Sequence, residues 1–483
     1  MKENIRKGIA WAEQQPTRSI VLFCFSALFL LYLLPTFIQP AYNDDLDLTH
    51  FYIGFPGVIS GDEPHYFIAT SSLINDHDYY VENNYNNAYR SGGYDLGFRY
   101  KNTSNPTIPP HIQLVDPVQH RALPTIMNKT HEENVQEMYL RYNSTIIKWV
   151  PNRPIGLPIF SSIFLWPLKN TYLIEHGAIY ISVMISFIGL LFFYTISLFY
   201  IGKFCPDKRD KKNIFTALLF TCIFALSTQY WHYSKTYFPE PYIATFLLAA
   251  YYLFFIKKRY ILPGFLLSMG LAMKTPFGMY IVLFGLYLLF KKLWLRLFYF
   301  ILGASPILFL LFYYNWFLSG NIFYSAQAGH LFFGNYIKGL ILWLFHPSFG
   351  MLLSAPFLVF SIFGFWNLWK KDKETFGVLS LIILPYLFFW TSYTLTQNGP
   401  GGYSARYLVP LLSFFTILTA IWYSNNKDRI MQGVFWILVG VSFIINIQAA
   451  FLYPLFWNNP PWIILDMILH KGARIMEVLK QTF

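Results

Sequence analysis

The chain has 483 residues, of which 55% are hydrophobic, 21% aromatic and only 12% charged. Soluble domains carry about 25% charged residues, so this composition excludes an ordinary water-soluble enzyme or binding module and indicates a membrane protein. The formal charge of +12 does not point to nucleic acid, because the basic residues fall in short clusters between apolar runs and not along one amphipathic face.

In chain order, 1–18 reads as a cytoplasmic N-terminus and 19–39 as the first transmembrane helix. The latter follows Arg18 as a signal-peptide core would, but it is too long and has no small-residue cleavage site. A long connector, 40–172, mixes Asn, Tyr, Asp, Pro and His and is expected outside the membrane. Within it, 63–74 predicts a short helix with Pro64 in its first turn, and 154–168 predicts a second surface helix. Further apolar segments follow at 173–201, 213–230, 241–256, 260–273, 277–290, 297–318, 350–369, 376–396, 406–423 and 430–453, making 173–453 a transmembrane helical domain. The tail, 454–483, alternates apolar and basic residues over 462–479 and predicts an amphipathic helix on the outer surface. The expected fold is therefore an all-α polytopic membrane protein with about eleven transmembrane helices and a large external first loop carrying surface helices.

The basic residues test this layout independently, since cytoplasmic connectors attract Lys and Arg. Lys2, Arg6, Lys7 and Arg18, then the clusters at 203–212, 257–259, 291–296, 370–373 and 427–429, all fall on one side. Lys235, Lys274 and Lys338 are the few on short connectors of the other side. This places the N-terminus in the cytoplasm and the C-terminus outside. Cys24 and Cys222 lie in apolar runs and Cys205 in a basic connector, so no disulfide framework follows.

The sharpest local signal is GDEPHY at 61–66, two adjacent carboxylates at the start of a helix soon after the first span. A helix N-terminus favours an ionised carboxylate, so Asp62 is a candidate base. The plain alternative is that Asp62 or Glu63 only caps the helix. Adjacent helical residues do not face the same way, so Glu63 is expected to orient or cap if Asp62 reacts.

This pair, with an aromatic residue three positions on, resembles the motif of the GT-C superfamily of polyprenyl-phosphate-sugar-dependent membrane glycosyltransferases, among them protein O-mannosyltransferases and lipid A aminoarabinose transferases. The likeness extends through WVPNRPIGLP at 149–158, YSKTYFPEP at 233–241, YYNW at 313–316 and GGYSARYLVP at 401–410, and so covers about 19–423. It implies sugar transfer from a polyprenyl-phosphate donor to a glycan, lipid or protein acceptor, with inversion and with Asp62 taking the acceptor proton. A departing phosphate needs cations at the outer boundary. Arg406 and Lys274 come first, because each runs against the positive-inside trend, followed by Lys235 and Arg153; snorkelling to headgroups is the competing role. Glu240, between Pro239 and Pro241, is assigned with His65, Tyr66 and His346 to acceptor or sugar positioning, with helix capping as the competing role of Glu240.

No histidine spacing fits a zinc motif; no cofactor is implied, and a divalent cation is left open without a ligand spacing to indicate it. Asn83–Asn87 suits sugar binding or an ordinary polar loop, and chance explains the sequons at Asn102, Asn128 and Asn143. Partners are then the lipid-linked donor, the acceptor and membrane lipids, with no nucleic acid. Usage rich in Lys, Asn, Ile and Phe suggests a bacterial source, hence an inner membrane with the site facing the periplasm or exterior. A flippase would need midplane polar residues in broken helices or inverted repeats, which are not evident. A polysaccharide polymerase or ligase would not need the Asp62–Glu63 pair, and a silent lipid-binding relative would transfer nothing.

Overall fold

The computed structural model describes residues 2–42, 48–53, 63–81, 83–84, 112–123, 136–137, 146–151, 153–169, 171, 173–204, 210–323, 334–346, 350–393 and 405–452. Asp62, the three sequons, the stretch 85–87 of the Asn-rich run and the expected amphipathic helix at 462–479 lie outside them.

Helix α1 (Lys2–Phe37) leads into an antiparallel hairpin of β1 (Ile38–Tyr42) and β2 (Leu48–Ile53), in which Ile38 faces Ile53 and Gln39 faces Tyr52. Helix α2 (Glu63–Asn75) matches the expected short helix. A small sheet follows, with β3 (Ile112–Asp116) between β4 (Arg121–Leu123) and β5 (Lys148–Pro151), all pairs antiparallel. The hydropathy pattern did not announce these strands, which are too short to show alternation. The turn before β4 is set by Asp116, whose Oδ1 accepts from the backbone N–H groups of Val118 and Gln119 at 2.9 and 3.0 Å. Helix α3 (Gly156–Leu165), extended by the 3₁₀ turn Trp166–Leu168, fills the place of the second surface helix.

The helical body comprises α4 (Leu173–Phe204), α5 (Asp210–Leu226), the short α6 (Tyr230–Ser234), α7 (Glu240–Tyr251, continued by a π turn Tyr252–Ile256), α8 (Ile261–Met273), α9 (Met279–Phe290) and α10 (Trp294–Ser319). It continues with α11 (Tyr336–Phe345), α12 (Met351–Ser354), α13 (Ser361–Lys371), α14 (Lys373–Ser392), α15 (Val409–Asn425) and α16 (Arg429–Leu452). Among the described residues six helical segments are long and apolar enough to cross a membrane: Thr17–Phe37, Leu173–Phe204, Trp294–Ser319, Lys373–Ser392, Arg406–Asn425 and Arg429–Phe451. They coincide with six of the expected spans. The rest are shorter; α8, with 13 residues, is about 20 Å long against a hydrocarbon core of about 30 Å.

One expected segment is broken. Over 350–369, α12 stops at Ala355, whose backbone is non-helical at φ −141° and ψ 65°, before the 3₁₀ turn Pro356–Phe360 and α13. Proline disfavours helical geometry in the residue before it, which is why an unbroken apolar run is not one helix. Helix α11 was not expected; Asn335 starts it, its side chain accepting from the Lys338 N–H at 3.0 Å.

Two helices form the centre. Every residue of α7 is buried, and so is nearly every residue of α15, as expected for helices that are apolar all round. They pack on one another, with α4, α8 and α13 around them. Helices α8 and α10 cross closely because a Cβ on Gly264 or Gly303 would collide with backbone of the partner helix, the small-residue packing common between membrane helices. Both central helices begin at the same end of the bundle, beside the charges described next.

Candidate functional site

Glu240 is the first residue of α7, Lys274 closes α8, and Arg406 opens the 3₁₀ turn that precedes α15. The dipoles favour an anion at the first of these positions and a cation at the second. All three meet. Glu240 Oε1 accepts from Lys274 Nζ and, at 2.9 Å, from Arg406 Nε. The three residues are 0%, 8% and 4% exposed. Buried charges at this density persist only when paired, because an isolated buried ion costs several kcal/mol or more. Two cations on one carboxylate leave the cluster with a formal charge of +1. The second oxygen of Glu240, Oε2, is buried and has no hydrogen-bond partner among the described residues, so the site carries an acceptor available to a hydroxyl or water.

Aromatic faces enclose the cations. Lys274 Nζ lies 3.9 Å from the Tyr407 ring centre and 5.3 Å from that of Trp390, and Trp390 stacks on Tyr407 at 4.2 Å. The Arg406 guanidinium is 4.1 Å from the Phe238 ring. Such contacts hold a cation without neutralising it, each worth about 0.5–2 kcal/mol. Trp343 of α11 reaches Tyr407 at 6.0 Å, which puts His346, three residues further on, in the connector that leaves this wall. Burial lowers the proton affinity of His346 below the ordinary histidine value.

The segment between α6 and α7 joins this cluster to α2. The Tyr237 N–H donates to Glu63 Oε1 at 2.5 Å, and the Tyr237 hydroxyl shares a hydrogen bond with Thr70 Oγ1 at 2.8 Å. Glu63 is 1% exposed and stands in the first turn of α2, so its carboxylate fastens that helix to the connector carrying Lys235, Phe238 and Glu240. His65 and Tyr66, in the same first turn of α2, are 2% and 3% exposed. Lys235 is pushed down to about 7 by burial, against the opposing pull of the Glu63 charge. His232, on the same connector, is pushed down to about 3 by burial and by the Lys235 charge, and its Nδ1 is 2.8 Å from the Ala449 carbonyl oxygen. A neutral histidine held by α16 is a packing residue here.

Helix α3 completes the surround. A Cβ on Gly156 would run into the backbone of Ala272 and Met273, so this glycine lets the 149–158 stretch press against the end of α8, beside Lys274. Arg153 precedes it in a half-buried bend. The structure thus brings together Glu240, Lys274 and Arg406 directly and links Glu63 and Lys235 to them through one short connector. Asp62, adjacent to Glu63 in the chain, is outside the described residues.

Sequence reasoning missed Trp390, Phe238 and Tyr407 as the walls of the site. Phe238 and Tyr407 lie inside stretches already singled out, and their adjacency to Glu240 and Arg406 was the available signal. Trp390 sits in an apolar helix with nothing to mark it. Among the described residues no three His, Cys, Asp or Glu side chains are grouped to hold a metal ion. No protein-family model, no curated protein and no solved structure matches this chain.

Proposed function

We propose that the chain is a membrane glycosyltransferase that moves a sugar from a polyprenyl-phosphate carrier to an acceptor hydroxyl at the outer face of a bacterial inner membrane. The observation that carries this reading is the buried Glu240–Lys274–Arg406 cluster. Its two cations suit a phosphate, and its spare carboxylate oxygen suits a sugar hydroxyl. The cluster stands at the ends of helices and not in the middle of a span, which favours surface chemistry over the midplane site of a transporter.

In this reading Lys274 and Arg406 hold the phosphate, whose negative charge grows as the bond to the anomeric carbon breaks. Lys235 and Arg153 add positive potential, while Glu240 keeps the two inner cations in place and accepts from the sugar through Oε2. Asp62 takes the acceptor hydroxyl proton as the acceptor oxygen bonds to the anomeric carbon; the carbon–oxygen bond to phosphate breaks and free polyprenyl phosphate leaves. Glu63 orients the start of α2, next to Asp62 in the chain, with His65, Tyr66 and His346 contacting sugar or acceptor. The acceptor is an envelope glycan, lipid or protein.

The test is binding of polyprenyl monophosphate to the purified full-length protein in detergent. Wild type should bind it, and the Lys274→Met and Arg406→Met variants should each lose at least about tenfold, the value of one charge-assisted contact. Undiminished binding by both variants, with folding intact, would remove the phosphate role from this cluster.

A further inference from the structure

Helices α13, α14 and α15 leave an open apolar groove of about 630 Å³, lined by Ile362, Phe365, Trp366, Trp369, Leu384 and Leu387 among others. Helices α13 and α15 lie close together here because a Cβ on Gly364 would strike the Leu418 carbonyl. The surrounding surface is apolar and outward-facing, with Ile362 65% and Leu384 52% exposed.

One end of the groove is basic. Lys370 Nζ lies 4.8 Å from the Trp366 ring and Lys373 Nζ 5.8 Å from that of Trp369. The nearby carboxylates are already engaged: Asp372 pairs with Lys203 at 2.5 Å and Glu374 with Lys291 at 3.6 Å. Lys371 donates to the neutral Asn425 Oδ1 at 3.0 Å. Among the described residues Lys370, Lys371 and Lys373 thus have no carboxylate partner, and they stand beside the mouth of an apolar channel. Helix α14 runs from Lys373 at this mouth to Trp390 at the charged cluster, 17 residues apart, so about 26 Å separate the two along the helix. That distance approaches the thickness of a hydrocarbon core and puts the groove mouth at the opposite membrane surface.

We propose that this groove is a binding site for an anionic diacyl phospholipid, with an acyl chain along Trp366, Trp369 and Leu384 and the headgroup phosphate on Lys370 and Lys373. The charge pattern selects an anionic headgroup over a zwitterionic one, since basic residues at a membrane surface attract anionic lipid and Trp anchors at headgroup depth. The assignment makes no use of the glycosyl-transfer reading.

The test reconstitutes the full-length protein in bilayers of equal phosphatidylglycerol and phosphatidylethanolamine, repurifies it in mild detergent and counts the retained lipids by mass spectrometry. Wild type should retain phosphatidylglycerol in preference by on the order of tenfold, from the two lysines at the mouth. Lys370→Gln with Lys373→Gln should lose that preference while the thermal unfolding temperature stays close to wild type. Leu384→Trp, which fills the groove, should lower retention of both lipids. Lys338→Gln, an exposed lysine on α11, should change nothing. Equal retention of the two lipids by wild type, or a preference that survives in the double variant or vanishes equally in Lys338→Gln, would overturn the proposal.

Discussion

Replacing Glu240 by Gln tests the energetics of the charged cluster most sharply. The substitution keeps size and shape but removes the carboxylate charge that both cations contact, and these cations are 8% and 4% exposed. Breaking a buried ion pair by deleting one partner costs about 3–5 kcal/mol, because the remaining charge is left uncompensated. Here two cations lose the same carboxylate charge, both being within hydrogen-bond reach of one of its oxygens. Replacing the whole cluster with apolar residues, as Glu240→Leu, Lys274→Met and Arg406→Met together, removes the imbalance and should cost less than Glu240→Gln alone, a reversal that independent sites never show. Unfolding followed by tryptophan fluorescence in detergent gives both numbers. If Glu240→Gln were less than about 1 kcal/mol destabilised, well under the cost of an uncompensated buried charge, or if the triple variant were the worse of the two, the cluster would not be the buried ionic unit described here.

Lys235 supplies a pH test. Its proton affinity in the folded protein, about 7, is below that of an unfolded lysine, so its buried charge weakens the fold below pH 7 and is progressively relieved as pH rises toward the ordinary lysine value. Wild type should gain stability relative to Lys235→Met between about pH 7 and pH 10; a flat difference would contradict the burial of this amine. Glu63→Ala strands the Tyr237 N–H in a buried position and should cost about 1–3 kcal/mol, whereas Glu63→Gln, which keeps an acceptor, should cost less; equal losses in thermal unfolding would argue against that bond. Arg406→Lys retains a charge but loses the Nε donor fixed on Glu240, and should weaken polyprenyl phosphate binding by on the order of tenfold, read by titration.

Much of this was visible in the sequence for physical reasons that can be named. Glu240, Lys274 and Arg406 stood out because ionisable residues at the ends of apolar helices are expensive and go against the positive-inside pattern; that they form one cluster was not visible, since it depends on α7, α8 and α15 starting or ending at one level. Proline and the adjacent carboxylates announced α2 to within a residue. The hydropathy pattern failed where a break is made by backbone geometry: the apolar run over 350–369 contains Pro356 and becomes a short helix, a 3₁₀ turn and α13. It also passed over α11, an apolar helix of only ten residues, and over strands of three to six residues whose pairing is set by distant partners. Trp390 was invisible because one aromatic residue in a run of apolar residues looks the same whether it faces lipid, core or a lysine.

The most direct measurement of the proposed activity is turnover. Purified full-length protein in lipid is incubated with a panel of polyprenyl-phosphate sugars and an envelope extract as acceptor, and the release of free polyprenyl phosphate is quantified for wild type and Asp62→Asn. Acceptor-dependent release by wild type from at least one donor, abolished in an Asp62→Asn variant that still folds and still binds polyprenyl phosphate, is the predicted result. Release that continues unchanged in Asp62→Asn would contradict the role of that carboxylate, and no release or binding of any lipid-linked sugar by wild type would contradict glycosyl transfer itself.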